Sequence, residues 1–210
     1  MTCRMHLVGD DMKWDEFASK VLSISRIGKK YSKDPYAIDN YEQLEELSIK
    51  MLNEASVEAV EKNIYERDIY PTPNVSVRIL VINEKDEVLM VQEKDDGRWA
   101  VPGGWCDVFI SVKDNAIKEV KEETGLDVEI DCLLGIFQRE KYKDYPSLVS
   151  EYVHYFSATV VGGSLNPNFE VSKAAYFPLN ELPELSRKNT IEELKRAFQV
   201  YYKETDVQFD

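Results

Sequence analysis

Val101-Pro-Gly-Gly-Trp-Cys-Asp107, with Ser111 shortly after and Glu119-Val-Lys-Glu-Glu-Thr-Gly-Leu126 beyond it, reads as a loop that runs into one helix and stops. Ser111 and Asp114 form a helix start of the capping-box kind, the hydroxyl taking a free first-turn amide while the carboxylate reaches back. Gly125 after Thr124 supplies the stop, because glycine accepts the left-handed conformation that ends a helix. Between these ends Val112, Ala116, Ile117 and Val120 recur at helical spacing, which makes one apolar stripe for a core. Glu119, Glu122 and Glu123 stand at i, i+3 and i+4, so their carboxylates share one patch of the helix surface.

Like charges crowded in this way repel unless a cation joins them. Carboxylate oxygens suit Mg²⁺ or Mn²⁺, above all when substrate phosphates complete the shell, so the patch predicts a metal-bridged phosphate site. Gly103-Gly104 just upstream lets backbone pass where a side chain would intrude. The competing reading is an ordinary solvated face, with Lys118 paired to Glu122 one turn on.

At this point the residues resemble a family, the Nudix hydrolases. Their signature opens on Gly, places Glu six positions later and, after seven further residues, continues as Arg-Glu, an aliphatic, any residue, Glu-Glu, any residue, Gly and an aliphatic. Here Gly104 opens it, Glu119-Val120 and Glu122-Glu123 match the acidic part, and Gly125-Leu126 close it. Trp99-Ala-Val-Pro-Gly-Gly-Trp105 also looks like the family's lead-in. Three positions depart: Ile110 stands for the first Glu, Lys118 for the Arg, and Phe109 for a usual Gly. Lys keeps the charge but loses the planar fork that steadies carboxylates. The resemblance implies an α/β/α sandwich and hydrolysis of the phosphoanhydride bond of a nucleoside diphosphate linked to another group. It also implies Glu119, Glu122, Glu123 and the Gly103 carbonyl as ligands of Mg²⁺ or Mn²⁺, with Lys118 as the supporting charge. The base that activates water falls to Glu170, in Asn168-Phe-Glu-Val171, with Glu140, Glu151 or Glu123 itself as alternatives. Helical residues around Tyr31-Ser-Lys-Asp-Pro-Tyr36 followed by Pro-Thr-Pro resemble a bacterial subgroup acting on CDP-choline or ADP-ribose-like nucleotides, of which CDP-choline is preferred. The alternative function is a Nudix-fold module that senses a nucleotide without turning it over, which Ile110 and Lys118 would favour.

The 210 residues, 31% charged and 43% hydrophobic, suit one globular domain with a small appendage. A net charge of −13 disfavours nucleic-acid binding through a basic face. Cys3, Cys106 and Cys132 are an odd set without metal-ligand spacing, which implies a reducing compartment and hence the cytoplasm. No run approaches the roughly 18 apolar residues of a membrane span. His6 and His154 are read as structural rather than acid-base residues.

Residues 1–11 are read as disordered or as a non-native start, 12–68 as a helical domain, 69–74 as a linker holding Tyr70-Pro-Thr-Pro73, and 75–210 as the catalytic domain. Trp14, Phe17, Val21 and Ile24 form one helical stripe, and Tyr41, Leu44, Leu47, Met51 and Leu52 a second. A third, shorter helix is expected from Ser56 to Ile64. So small a helical domain cannot bury a secure core alone. Its stripes therefore meet either a second copy, giving a homodimer, or the catalytic domain. Beyond the linker, Val75–Ile82 and Val88–Gln92 read as a hairpin. Leu126–Ile130, Leu133–Arg139, Tyr152–Val161 and Ala174–Phe177 read as further strands, and Thr190–Tyr202 as a last helix.

Overall fold

A computed structural model describes residues 14–55, 72–107, 110–143, 150–168 and 170–210. The readings for residues 1–11, the third helix at Ser56–Ile64, Cys3, His6, Tyr70 and Phe109 lie outside these. The chain divides into two compact units, Met1–Pro73 with Lys143–Ser150, and Asn74–Tyr142 with Glu151–Asp210. No helix among the described residues is long and apolar enough to cross a membrane.

In the first unit, α1 (Trp14–Tyr31) and α2 (Pro35–Ala55) pack together. Arg26 Nε lies 2.8 Å from Glu45 Oε1, and Lys29 Nζ lies 2.9 Å from Glu45 Oε2. The buried seam is Ala18, Leu22 and Leu52, with Trp14 and Ile49 against it. This corrects part of the stripes read from sequence, of which Trp14 and Leu52 do reach the seam. Phe17, Ile24 and Leu47 are 54%, 56% and 64% exposed, and Leu44 and Met51 are also open. Small Ala18 and Ser25 sit buried with Leu22 and Leu52, so the seam uses the neighbouring face of α1, and Phe17, Ile24 and Leu47 stay open.

The second unit is a mixed α/β sandwich. Its strands and helices run β1 (Asn74–Val81), β2 (Glu87–Glu93), β3 (Trp99–Ala100), α3 (Val112–Thr124), β4 (Leu126–Gln138), β5 (Glu151–Gly163), β6 (Val171–Pro178), α4 (Ile191–Tyr201) and β7 (Gln208–Phe209). One sheet has the order β1-β5-β4-β7, the other β3-β2-β6. β1 is buried on both faces: Val77, Ile79 and Val81 pack with Ala116 and Val120 of α3. Leu80 packs instead with Leu194 and Ala197 of α4. Burying a valine of that kind is worth about 1.5–3 kcal/mol, which fixes α3 onto the sheet.

Two strand readings change. β1 and β2 are not a hairpin: only Ile82 and Val88 bridge, after which β1 pairs parallel with β5 while β2 pairs antiparallel with β6 and β3. The tight turn, where Asn83 Oδ1 accepts from the Lys85 and Glu87 amides at 2.9 and 3.1 Å, carries the chain from one sheet to the other. Leu126–Ile130 and Leu133–Arg139 are one continuous strand, β4, whose register slips around Ile130 and Cys132. Exposed Asp131 and Cys132 in succession break the alternation, as a bulge does, and imitate a turn. In α4 Ile191, at the first turn, is 50% exposed, while Leu194 and Ala197 are buried. Thr190 and Glu193 form the reciprocal capping box there.

Candidate functional site

The site grows from the way the glycine loop lies against β1. Ile79 N donates to Pro102 O, Val77 N to Gly104 O, and Cys106 N to Val75 O, each at 2.9 Å. Gly103 lies between the first two, and its amide donates the other way, to Glu123 Oε2 at 2.9 Å. Gly103 has φ 142°, and a Cβ there would sit 2.1 Å from Val77 O; one on Gly104 would sit 2.7 Å from Glu119 Oε2. Two glycines are therefore what allow β1, the loop and two glutamates to share the space.

α3 brings those glutamates in. Ser111 Oγ accepts from Asp114 N at 3.0 Å, and Gly125, at φ 79°, ends the helix with its amide on Lys121 O. The reciprocal half of the capping box is absent: the Ser111 hydroxyl donates to Asp114 Oδ2 at 2.7 Å instead. Aspartate is one methylene too short to reach back, whereas Glu193 in α4 is long enough. Glu119 and Glu123 are 8% and 2% exposed. Burial raises the pKa of Glu119, although Lys118 and Arg78 act against the shift. For Glu123 burial raises it to about 7, against the Gly103 amide and the charges of Lys188 and Arg78. Glu122 lies at the exposed edge of the patch, with Lys118 Nζ 3.5 Å from its Oε2. Lys118 is nearer Asp107, at 2.7 Å, an ion pair that raises its own pKa.

Among the described residues, no three His, Cys, Asp or Glu side chains already form a ligand group. Two carboxylates face inward and the third is turned outward. The donors nonetheless fit a hard divalent cation. They are oxygens, they sit beside backbone stripped of side chains, and desolvation leaves their charge undercompensated.

Glu170 is exposed in the turn before β6, its amide on Asn168 Oδ1 at 2.8 Å, and its charge adds to the raising of the Glu119 pKa. The other two base candidates are committed elsewhere. Glu140 Oε1 accepts from the Glu151 amide at 2.7 Å, and Glu151 Oε1 accepts from Ser76 Oγ at 2.6 Å with Arg139 Nη1 3.5 Å away. His154 is half-buried on β5, and burial lowers its pKa. Ile110 is exposed, and its carbonyl accepts from Asn115 Nδ2 at 3.1 Å. Asn115 Oδ1 accepts from Asp107 N at 2.9 Å, which braces the loop from inside α3.

Sequence reasoning missed Arg78, Lys188 and Asn189. Arg78 is 4% exposed, with Nη1 on Val77 O at 2.9 Å and Nε on Lys188 O at 3.2 Å. An arginine inside the apolar run Val77-Arg-Ile-Leu-Val81 was the available signal, since a strand buried on both faces has no solvent side for it. Asn189 Oδ1 accepts from Val101 N, and its Nδ2 donates to Tyr155 OH, both at 2.9 Å.

Comparison with known proteins points to one family. Residues 72–198 match the NUDIX domain, and residues 12–63 match a UDP-X-like, N-terminal oligomerisation domain. A putative ADP-ribose pyrophosphatase of Bacillus subtilis (strain 168) is 34% identical, covering 89% of this chain and 91% of that protein. The crystal structure of a UDP-X diphosphatase superposes with a TM-score of 0.64 at 26% identity, over 93% of this chain and 97% of that one. An ADP-ribose pyrophosphatase from Streptococcus suis 89-1591 is 39% identical with a TM-score of 0.59, over 66% of this chain and all 100% of that one. With the signature on α3, the glycine loop on β1 and matches over nearly its whole length, the chain belongs to the Nudix hydrolase family.

Proposed function

We propose that the protein hydrolyses the diphosphate linkage of a nucleoside diphosphate derivative with a divalent cation held by Glu119 and Glu123. The observation that carries this reading is the burial of those two carboxylates beside Gly103 and Gly104, where their desolvated charge calls for a cation. Glu122 and the Gly103 carbonyl complete the proposed ligand set, and Lys118 supports it by holding Asp107 and Glu122. Mg²⁺ or Mn²⁺, when bound, would neutralise the diphosphate and lower the pKa of the attacking water. That water's oxygen bonds to one phosphorus as the bridging P–O bond breaks, and its proton passes to a carboxylate.

The names of the similar proteins support ADP-ribose and UDP-X compounds as substrate classes, and CDP-choline, preferred on the sequence, stays in the same panel. The test is release of AMP, UMP or CMP from ADP-ribose, UDP-glucose and CDP-choline with Mg²⁺ and then Mn²⁺. Metal-dependent release from one of them is expected. Binding without turnover of any of them, with either metal, would favour the nucleotide sensor instead.

Glu170 is the proposed base, because it is exposed and charged near Glu119 while Glu140 and Glu151 are tied into the interior. Glu170→Gln should lower kcat roughly a hundredfold or more with little change in KM. A kcat equal to wild type in the steady-state assay would pass the role to Glu123.

We further propose that the first unit makes a homodimer. Leu44, Leu47 and Met51 form an exposed apolar stripe on α2, and the matching domain family is described as an oligomerisation domain. Leu47→Lys should raise the dimer dissociation constant about thirtyfold or more, read by analytical ultracentrifugation. An unchanged dimer would place the contact elsewhere.

A further inference from the structure

Lys188 stands at the site without a part in the reaction as described above. Its backbone is fixed from several sides. Trp99 N donates to Glu184 O at 2.9 Å and Ser186 N to Trp99 O at 2.8 Å, which lays the 184–189 segment along β3. Lys188 N donates to Ser186 Oγ at 3.0 Å, and Lys188 O accepts from Arg78 Nε at 3.2 Å. The next residue, Asn189, holds the Val101 amide, two positions before Gly103. The chain is thus pinned beside the glycine loop, and the side chain is not needed to hold it there.

The ammonium has a defined direction all the same. Lys188 Nζ lies 2.8 Å from Glu93 Oε2, and the Lys188 side chain is 43% exposed against 10% for Glu93. Glu93 Oε1 is buried and, among the described residues, has no hydrogen-bond partner. A pair so open at its lysine end adds little to stability, whereas a carboxylate buried with one oxygen unsatisfied is costly. The arrangement makes sense as an aiming device: a buried anion fixes a half-exposed cation on the segment that is pinned beside the glycine loop.

Resting on the diphosphate reading above, we infer that Lys188, aimed by Glu93, grips the substrate phosphate oxygens that the metal does not, and so sets affinity independently of the metal. An ammonium has three donors and Glu93 takes one, which leaves two for an anionic oxygen. Because this contact needs no cation, it persists in chelator.

The test compares wild type with Lys188→Met and Lys188→Arg. Calorimetry in EDTA measures binding of ADP-ribose, UDP-glucose and CDP-choline, steady-state assays with Mg²⁺ separate KM from kcat, and thermal melting reports folding. Lys188→Met should weaken metal-free binding and raise KM by about tenfold to a hundredfold, with kcat the smaller change, while the melting temperature falls only as far as the loss of Glu93's counter-charge requires. Lys188→Arg should restore most of both. Metal-free Kd and KM equal to wild type in Lys188→Met would overturn the inference. So would a loss that tracks a lowered melting temperature and is not restored by arginine. Wild-type protein that binds a nucleotide but does not cleave it defeats the hydrolase reading alone. Wild-type hydrolysis with Lys188→Met unaffected, or with no metal-free binding by wild type, defeats the Lys188 role alone, and wild-type protein that neither binds nor cleaves any of the three nucleotides defeats both.

Discussion

Glu123→Gln is expected to remove nearly all turnover while making the metal-free protein more stable at neutral pH. Glutamine keeps the shape and keeps an oxygen for the Gly103 amide, now at 2.9 Å from Glu123 Oε2. What it removes is the charge. A metal site supplies several kcal/mol of transition-state stabilisation, so its loss should lower kcat roughly a thousandfold or more. The stability change follows from burial, which raises the Glu123 pKa from 4.5 to about 7. The folded state therefore holds this proton more tightly than the unfolded chain does. That contribution is full below pH 4.5 and is lost as the pH rises through about 7, leaving a penalty of about 3 kcal/mol at higher pH. Denaturant unfolding in EDTA should show wild type weakening between pH 5 and pH 8, and Glu123→Gln weakening less. Glu119, raised by the same cause, adds in the same direction. Divalent metal should stabilise wild type more at pH 8 than at pH 5, because it binds the ionised carboxylates. Full activity in Glu123→Gln, or identical pH dependence in the two proteins, would remove this residue from the site.

The adjacent glycines should fail in different ways. At Gly103 a methyl group would meet the Val77 carbonyl at 2.1 Å and the Arg78 Cα at 3.0 Å, on backbone at φ 142°. Nothing there is the movable end of a side chain, so Gly103→Ala should cost more than about 3 kcal/mol by strain and forced displacement of β1. At Gly104 the obstacle is the Glu119 carboxylate, with Oε2 at 2.7 Å and Cδ at 3.0 Å. A carboxylate can swing aside, so Gly104→Ala should fold with a loss under about 1.5 kcal/mol. It should still lose most of its turnover, because a small displacement of a reacting group is enough to do so. Melting curves and kcat for the two variants check this. Equal stability losses would mean that the loop does not lie on β1 as described.

The parts of this account that were legible in the sequence are those encoded locally. Ser111 and Gly125 mark both ends of α3, its apolar stripe is Ala116 and Val120, and the spacing of Glu119, Glu122 and Glu123 follows from 3.6 residues per turn. What periodicity does not carry is which partner a face meets. Phe17, Ile24 and Leu47 have the spacing of a core face, yet Ala18 and Leu22 form the seam, because close packing of two helices is decided by the smaller residues. Val75–Ile82 and Val88–Gln92 look like a hairpin, since a turn sequence says where a chain reverses and not which sheet each arm joins. Likewise Glu140, Glu151 and Glu170 are equivalent as letters. Only Arg139, Ser76 and the Glu151 amide, distant from one another in the chain, divide them into structural and exposed carboxylates. Lys188 and Asn189 sit in an aperiodic loop, and their roles arise from contacts with Glu93, Arg78 and Val101.

The burial of Glu119 and Glu123 beside two glycines has one purpose in this account, to hold a divalent cation against a diphosphate. Diffraction at the manganese absorption edge, from crystals soaked in Mn²⁺, locates that cation directly. An anomalous peak is expected within about 2.5 Å of carboxylate oxygens from both Glu119 and Glu123, lost in Glu123→Gln crystals. Ordered Mn²⁺ elsewhere, with both side chains still buried and unligated, would contradict it.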